Sequence, residues 1–161
     1  MTSWLLNPWW RAPGRSPWAI LIRLSLAGVF VLEGLQKLLF PEILGSGRFA
    51  GIGIPLPGFT GPLVGVFKLV CGALLLIGLF SRYAAVPLIV IMIVAIISTK
   101  IPILLGSDWL IFQVRELSRY GFWSFAHETR TDWAMLLGAL YVLLAGAGPW
   151  SLDRLLFGRD R

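Results

Sequence analysis

Lys37, Lys68 and Lys100 are three ammonium groups set in strongly apolar stretches, and Glu33 stands four residues before the first of them. On a helix that spacing puts Glu33 and Lys37 on one face in the favourable acid-before-base order. Ammonium groups held in apolar surroundings could draw in a small anion or the head group of a quinone. The segment His127-Glu128-Thr129-Arg130-Thr131-Asp132 adds the one histidine of the chain. His127 is the candidate catalytic residue, a proton carrier whose tautomer Glu128 or Asp132 would set. The same residues, Glu33, Lys37, Lys68, Lys100, Glu128, Arg130 and Asp132, also fit a purely structural description. They could form a charge-compensated network that locks helices together, because buried ions need partners first.

Cysteine and histidine usage narrows the chemistry further. One Cys and one His exclude internal disulfides, CxxC redox motifs, Cys-ligated iron–sulfur clusters and bis-His haem within one chain. No metal site and no covalently attached cofactor are expected; a quinone is the small molecule this residue set could take. Cys71 falls inside an apolar run, where a packing thiol is the ordinary role.

Such residues need elements to carry them, and the composition says where those elements sit. The 161 residues are 57% hydrophobic and 14% charged, with a mean hydropathy of +0.81, which is the balance of a chain that lives in a bilayer. The net charge of +6 is spread along the chain and flanks apolar segments. It therefore fits membrane topology, with lipid as partner, and not nucleic acid. A single all-α domain is expected, an integral membrane four-helix bundle with a short interfacial helix in its third connection.

The first helix spans about 18–40, long enough at about 1.5 Å per residue to cross a hydrocarbon core of about 30 Å. It carries Arg23, Glu33, Gln36 and Lys37 and stops at Pro41. Before it lies a Trp-rich stretch, with Trp4, Trp9, Trp10, Arg11 and Arg15, expected among headgroups. With no cleavage site evident, the first helix reads as an uncleaved signal anchor. The connection 41–60 is rich in Gly and Pro and is expected to be a surface loop. Helix two is placed at about 61–80, with Pro62 in its first turn and small residues Gly61, Gly65 and Gly72 for close approach. After a very short turn at 81–83, helix three covers about 84–99. On a helical wheel for 108–120, Trp109, Leu110, Val114, Leu117 and Tyr120 oppose Arg115, Glu116 and Arg119, the pattern of a helix lying in the membrane plane, with an ordinary packed loop as the alternative. Helix four is placed at about 132–147, with Thr131 as its cap.

Loop charges favour both termini on the cytoplasmic side, where Arg82, Arg154, Arg159 and Arg161 would join Arg11 and Arg15. Depth then follows from counting. Glu33 lies seven residues before Phe40 and Lys68 seven after Gly61, so each sits roughly 10 Å below the outer boundary and the two can meet. Lys37, Lys100 and the 127–132 segment converge on that side. Arg23 is left near the inner face, where it is expected to snorkel to headgroups.

Several of these residues also carry a family resemblance. Arg23 with Gly34-x-x-Lys37, Gly72 leading into Gly78-Leu79-Phe80-Ser81-Arg82-Tyr83-Ala84-Ala85, and Gly146-Ala147-Gly148-Pro149-Trp150-Ser151-Leu152-Asp153 together resemble the DoxX family over about 23–153. The stretches Glu33-Gly34-Leu35-Gln36-Lys37, Thr99-Lys100-Ile101-Pro102 and His127-Glu128-x-Arg130-Thr131-Asp132 resemble one bacterial subgroup. The resemblance implies a multi-pass protein of the bacterial cytoplasmic membrane. Some members are associated with a thiosulfate:quinone oxidoreductase, others with a membrane complex that handles thiol and superoxide stress. Where many relatives have Glu in helix two this chain has Lys68, and Glu33 would then reverse the pair. The expected function is an accessory subunit that anchors or completes a membrane redox complex and shapes a quinone or small-anion site, beside other subunits. Alternatives are the catalytic quinone-reducing subunit itself, with His127 passing protons, and a small carrier or channel.

Overall fold

The computed structural model describes residues 16–157. The Trp-rich stretch with Trp4, Trp9, Trp10, Arg11 and Arg15 lies outside the described residues, as do Arg159 and Arg161.

Helix α1 (Ala19–Leu39) turns Ala19, Arg23, Leu26, Ala27, Phe30 and Gly34 inward. That spacing of threes and fours is one stripe of a helix whose other faces are apolar and exposed. Pro41 starts a helical turn, α2 (Pro41–Leu44), at the position where a missing N–H costs nothing. A second short helix, α3 (Ser46–Ile52), follows and ends at Gly53 in the left-handed region. The 41–60 connection, expected as an unstructured loop, is thus two short helices, and α3 packs against the next long helix.

Helix α4 (Pro57–Ile77) begins earlier than its expected start at 61, because Pro57 again supplies a first-turn proline. Pro62 therefore falls past the first turn. The helix ends before 80 at Gly78, whose φ of 73° closes it by donating to the carbonyls of Leu74 and Leu75. Helix α5 (Ser81–Ala95) starts after three residues, so α4 and α5 are antiparallel neighbours. It continues through a π turn (Ile96–Lys100) into α6 (Ile101–Leu105). The expected stop near 99 is not a stop. Pro102 lacks an N–H and its ring would crowd the carbonyl four residues back; a widened turn, with Ile101 N–H bonded to the carbonyl of Ile96, absorbs that conflict.

The stretch 108–120 is not the expected interfacial helix. Its backbone donors are used otherwise. Trp109 and Phe112 exchange two N–H···O bonds of 3.0 Å around Leu110, which has a φ of 56°. Asp108 Oδ1 accepts from Val114 N–H at 2.7 Å, and Gln113 N–H reaches the carbonyl of Ile52 at 2.8 Å. An amphipathic pattern alone does not make a helix when side chains and neighbouring backbone offer these competing bonds.

Helix α7 (Phe122–Ala145) starts ten residues before the expected 132, right after Gly121 at φ 101°. Thr131 and Asp132 are interior residues, not a cap and first turn. Nothing between 122 and 131 is Gly or Pro, so the helix has no reason to wait. A last short helix, α8 (Leu152–Phe157), follows.

The four long elements alternate in direction and form a ring, α1 packing on α4 and α7, α5 on α4 and α7. Leu26, Phe30, Leu75, Leu88, Met92 and Val142 fill the centre, and Cys71 packs with them. Close approach of α1 and α4 depends on Gly34, where an added Cβ would stand 2.6 Å from the backbone nitrogen of Leu69. Three helices, Ala19–Leu39, Pro57–Ile77 and Ser81–Leu105, are long and apolar enough to cross a membrane. The fourth long helix, α7, is apolar from Trp133 onward and charged before it. One end of the bundle carries the tight α4–α5 turn and α8; the other carries α2, α3 and the 106–121 connection.

Candidate functional site

At the end holding α2 and α3, the long helices part around a cavity of about 370 Å³. Helix α1 contributes Glu33, Gln36 and Lys37, α4 Lys68, the π turn Ser98 and Lys100, α7 Asp132, and α3 covers the opening with Arg48 and Phe49. Val64 of α4 and Val90, Ile91 and Val94 of α5 also line it. The lining therefore combines charged groups with aliphatic side chains.

Each charge has a definite partner set. Lys68 Nζ pairs with Glu33 Oε2, and the ammonium stands 5.8 Å from the centre of the Phe30 ring. The Lys68 side chain is 6% exposed and that of Glu33 41%, so the pair is buried on one side and open on the other. Glu33 thus pairs across to α4 and not with Lys37, its own-helix neighbour. Lys37 Nζ donates instead to the carbonyl of Leu44 at 2.9 Å and lies 5.1 Å from the Phe49 ring, fastening α1 to α2 and α3.

Lys100 is buried, at 3.3 Å from Asp132 Oδ2 and 3.7 Å from Glu128 Oε2. Glu128 and Asp132 are four residues apart on α7, which sets both on one face toward the π turn. Glu128 also accepts from Arg115 Nη2 at 3.0 Å, tying the 106–121 connection to the bundle. The early start of α7 is what makes this possible.

Of the residues marked by sequence, the structure brings Glu33, Lys37, Lys68, Lys100 and Asp132 to one cavity. Glu128 stands behind Lys100. His127 and Arg130 are exposed and face each other, with Arg130 Nη1 at 2.5 Å from His127 Nδ1 and 3.0 Å from Nε2. The expected partners of His127, Glu128 and Asp132, are engaged by Lys100 and Arg115 instead. Arg48 and Phe49 were not foreseen. They lie in a Gly-rich stretch whose only local signal is Pro41 at a possible helix start.

Arg23 does not reach headgroups. It is 2% exposed, and its guanidinium donates to the carbonyls of Leu75 (2.8 Å), Leu76 (2.9 Å), Ala147 (3.0 Å) and Trp150 (2.7 Å). These carbonyls lie at the end of α4 and beyond α7, where partial negative charge collects, and the Leu75 carbonyl also accepts from Gly78 N–H. Asp153 completes this end by accepting from Phe80 N–H at 2.6 Å and Ser81 N–H at 3.0 Å at the start of α5. Its own N–H donates to the carbonyl of Gly78. This end is a structural clasp, and the cavity lined by the three lysines lies at the other.

The DoxX family model matches residues 18–101. The uncharacterized membrane protein Rv3486 of Mycobacterium tuberculosis is 47% identical over 143 residues, covering 89% of this chain and 83% of that protein. No solved structure matches the chain.

Proposed function

Because the chain belongs to the DoxX family of membrane proteins, we propose that it is an integral subunit that anchors or completes a redox complex in the bacterial cytoplasmic membrane. Both termini face the cytoplasm, and the cavity receives a quinone head group or a small anion. The observation that carries this reading is the cavity itself: Lys37, Lys68 and Lys100 all line one space that is also lined by aliphatic side chains of α4 and α5. A volume of about 370 Å³ falls in the common range for small-molecule sites, about 300–1,000 Å³. The rest of the chain supports an accessory role. Its one cysteine is packed in the core and its one histidine is exposed on α7, outside the cavity lining.

The test is purification of the tagged full-length chain from its native membrane in mild detergent, with mass spectrometry of what accompanies it. Recovery with a redox enzyme is expected. A chain that purifies without any redox partner, at detergent levels that keep known membrane complexes whole, overturns the subunit reading. Turnover of thiosulfate and quinone by the purified chain alone would favour the catalytic alternative.

A further inference from the structure

The charges around the cavity do not balance, and the imbalance sits at one place. Four cations line it, Lys37, Arg48, Lys68 and Lys100, against two carboxylates, Glu33 and Asp132. Glu33 is taken by Lys68, and Asp132 by Lys100, which also draws on Glu128. Lys37 and Arg48 form no ion pair among the described residues. The Lys37 ammonium has one carbonyl acceptor and one aromatic ring, both neutral. An ammonium has three N–H donors, so two remain for a ligand. Arg48 is exposed on α3 and lines both this cavity and a second hollow of about 320 Å³ that Glu42 and Arg115 also line.

The second observation concerns the wall. Val90 and Val94 line the cavity and yet are 54% and 47% exposed. Both belong to α5, which with α4 makes the hairpin closed at the other end by Gly78–Phe80. The wall between these helices is therefore a window onto the lipid-facing side of two membrane-spanning elements, and not a floor. An apolar group can pass through it while a polar head stays inside.

We propose that the cavity binds an amphiphile with an anionic head, held by Lys37 and Arg48, and an apolar tail that leaves between α4 and α5 past Val90 and Val94. This rests on the cavity being a ligand site, and it replaces the quinone or small free anion of that reading with one amphiphile that joins an anionic head to an apolar tail. The two ion pairs already present set the polarity of the site without neutralising it. A neutral head would leave Lys37 and Arg48 uncompensated. A small free anion would leave the valine window without an occupant.

The experiment uses the purified full-length chain in detergent and measures saturable binding of radiolabelled oleate. Unlabelled oleate, oleyl alcohol, acetate, decylubiquinone and dioleoyl phosphatidylglycerol serve as competitors. Oleate is expected to bind, with oleyl alcohol and acetate each competing far more weakly, since one lacks the charge and the other the tail. Lys37→Met and Arg48→Gln are each expected to weaken binding about tenfold or more, the loss of one charge-assisted hydrogen bond. Arg48 is exposed, so its variant tests the head contact even if Lys37→Met loosens α2 and α3. Val90→Trp, on the exposed side of the window, is expected to abolish oleate binding with every charge intact.

Competition by phosphatidylglycerol supports the same chemistry with a bilayer lipid as the source; its absence, with oleate bound, supports a free fatty acid. Equal competition by oleyl alcohol or by acetate, or unchanged binding in all three variants, overturns the proposal. Binding of decylubiquinone without binding of oleate overturns it too, while leaving the quinone reading intact. Oleate binding by a chain that purifies without redox partners would sink the subunit proposal alone.

Discussion

Glu33 on α1 and Lys68 on α4 form an ion pair across the α1–α4 contact, directly beside Gly34 and Leu69, where the two backbones approach closely. The arrangement is asymmetric. Lys68 is enclosed by Phe30 and helix backbone, whereas Glu33 keeps one side toward the cavity. The pair therefore fixes helix register and at the same time places a carboxylate in the site wall.

Removing one partner is expected to cost more than removing both. Glu33→Gln leaves a buried ammonium without its counter-charge, a loss of roughly 1–3 kcal/mol. That is less than for a fully enclosed pair, because the carboxylate is partly exposed. The double variant Glu33→Gln with Lys68→Met is expected to recover part of that loss. Thermal unfolding of the four species in detergent gives the coupling. Additive effects would show that the two side chains do not depend on each other.

Arg23 is expected to matter more for folding than for binding. Arg23→Met removes its hydrogen bonds to four carbonyls, of which that of Leu75 keeps Gly78 N–H, and should lower stability by roughly 2 kcal/mol or more. Arg23→Lys keeps the charge but not the planar five-donor fork, so it should restore less than half. Yield and melting temperature read the loss. A lysine variant as stable as the parent would mean that charge, and not the fork, is what this end requires.

Asp153 is expected to behave as a helix cap supplied from a distance of seventy residues in sequence. Asp153→Ala leaves Phe80 N–H and Ser81 N–H without that acceptor and should cost about 0.5–2 kcal/mol. Amide exchange at the start of α5 is expected to speed up while exchange around the cavity stays as it was. Uniform loosening of both ends would contradict a local cap.

His127 is expected to be dispensable. It is exposed and meets only Arg130 among the described residues, so His127→Ala should change stability by less than about 0.5 kcal/mol. Partner capture from native membranes should also be unchanged. If complex assembly persists but quinone turnover disappears, His127 carries protons after all and the catalytic alternative gains.

The sequence by itself determined the solvent this protein lives in, the extent of α1 to within a residue at each end, and the meeting of Glu33 with Lys68. Each of these follows from a local regularity. A helix advances by a fixed rise and turns by a fixed angle, so apolar length gives a span and residue counts from two helix ends give matching depths. The same counting failed where the outcome depended on a partner elsewhere in the chain. Helix four was expected to start at 132, but α7 begins at Phe122, with Glu128 and Asp132 on one face paired to Lys100 of the neighbouring element. Residues 108–120 had the pattern of a helix, but Ile52 and the Asp108 carboxylate claimed the backbone donors.

Tertiary structure alone decided the fate of the remaining charges. Arg23 turned inward because two segments far apart in sequence, the end of α4 and the stretch after α7, bring carbonyls to one point, and neither segment announces that by itself. Lys37 and Arg48 ended at a cavity mouth because α2 and α3 fold back over it. A buried charge goes where its desolvation is best repaid, and that place is defined by the whole bundle and not by the residues on either side of it.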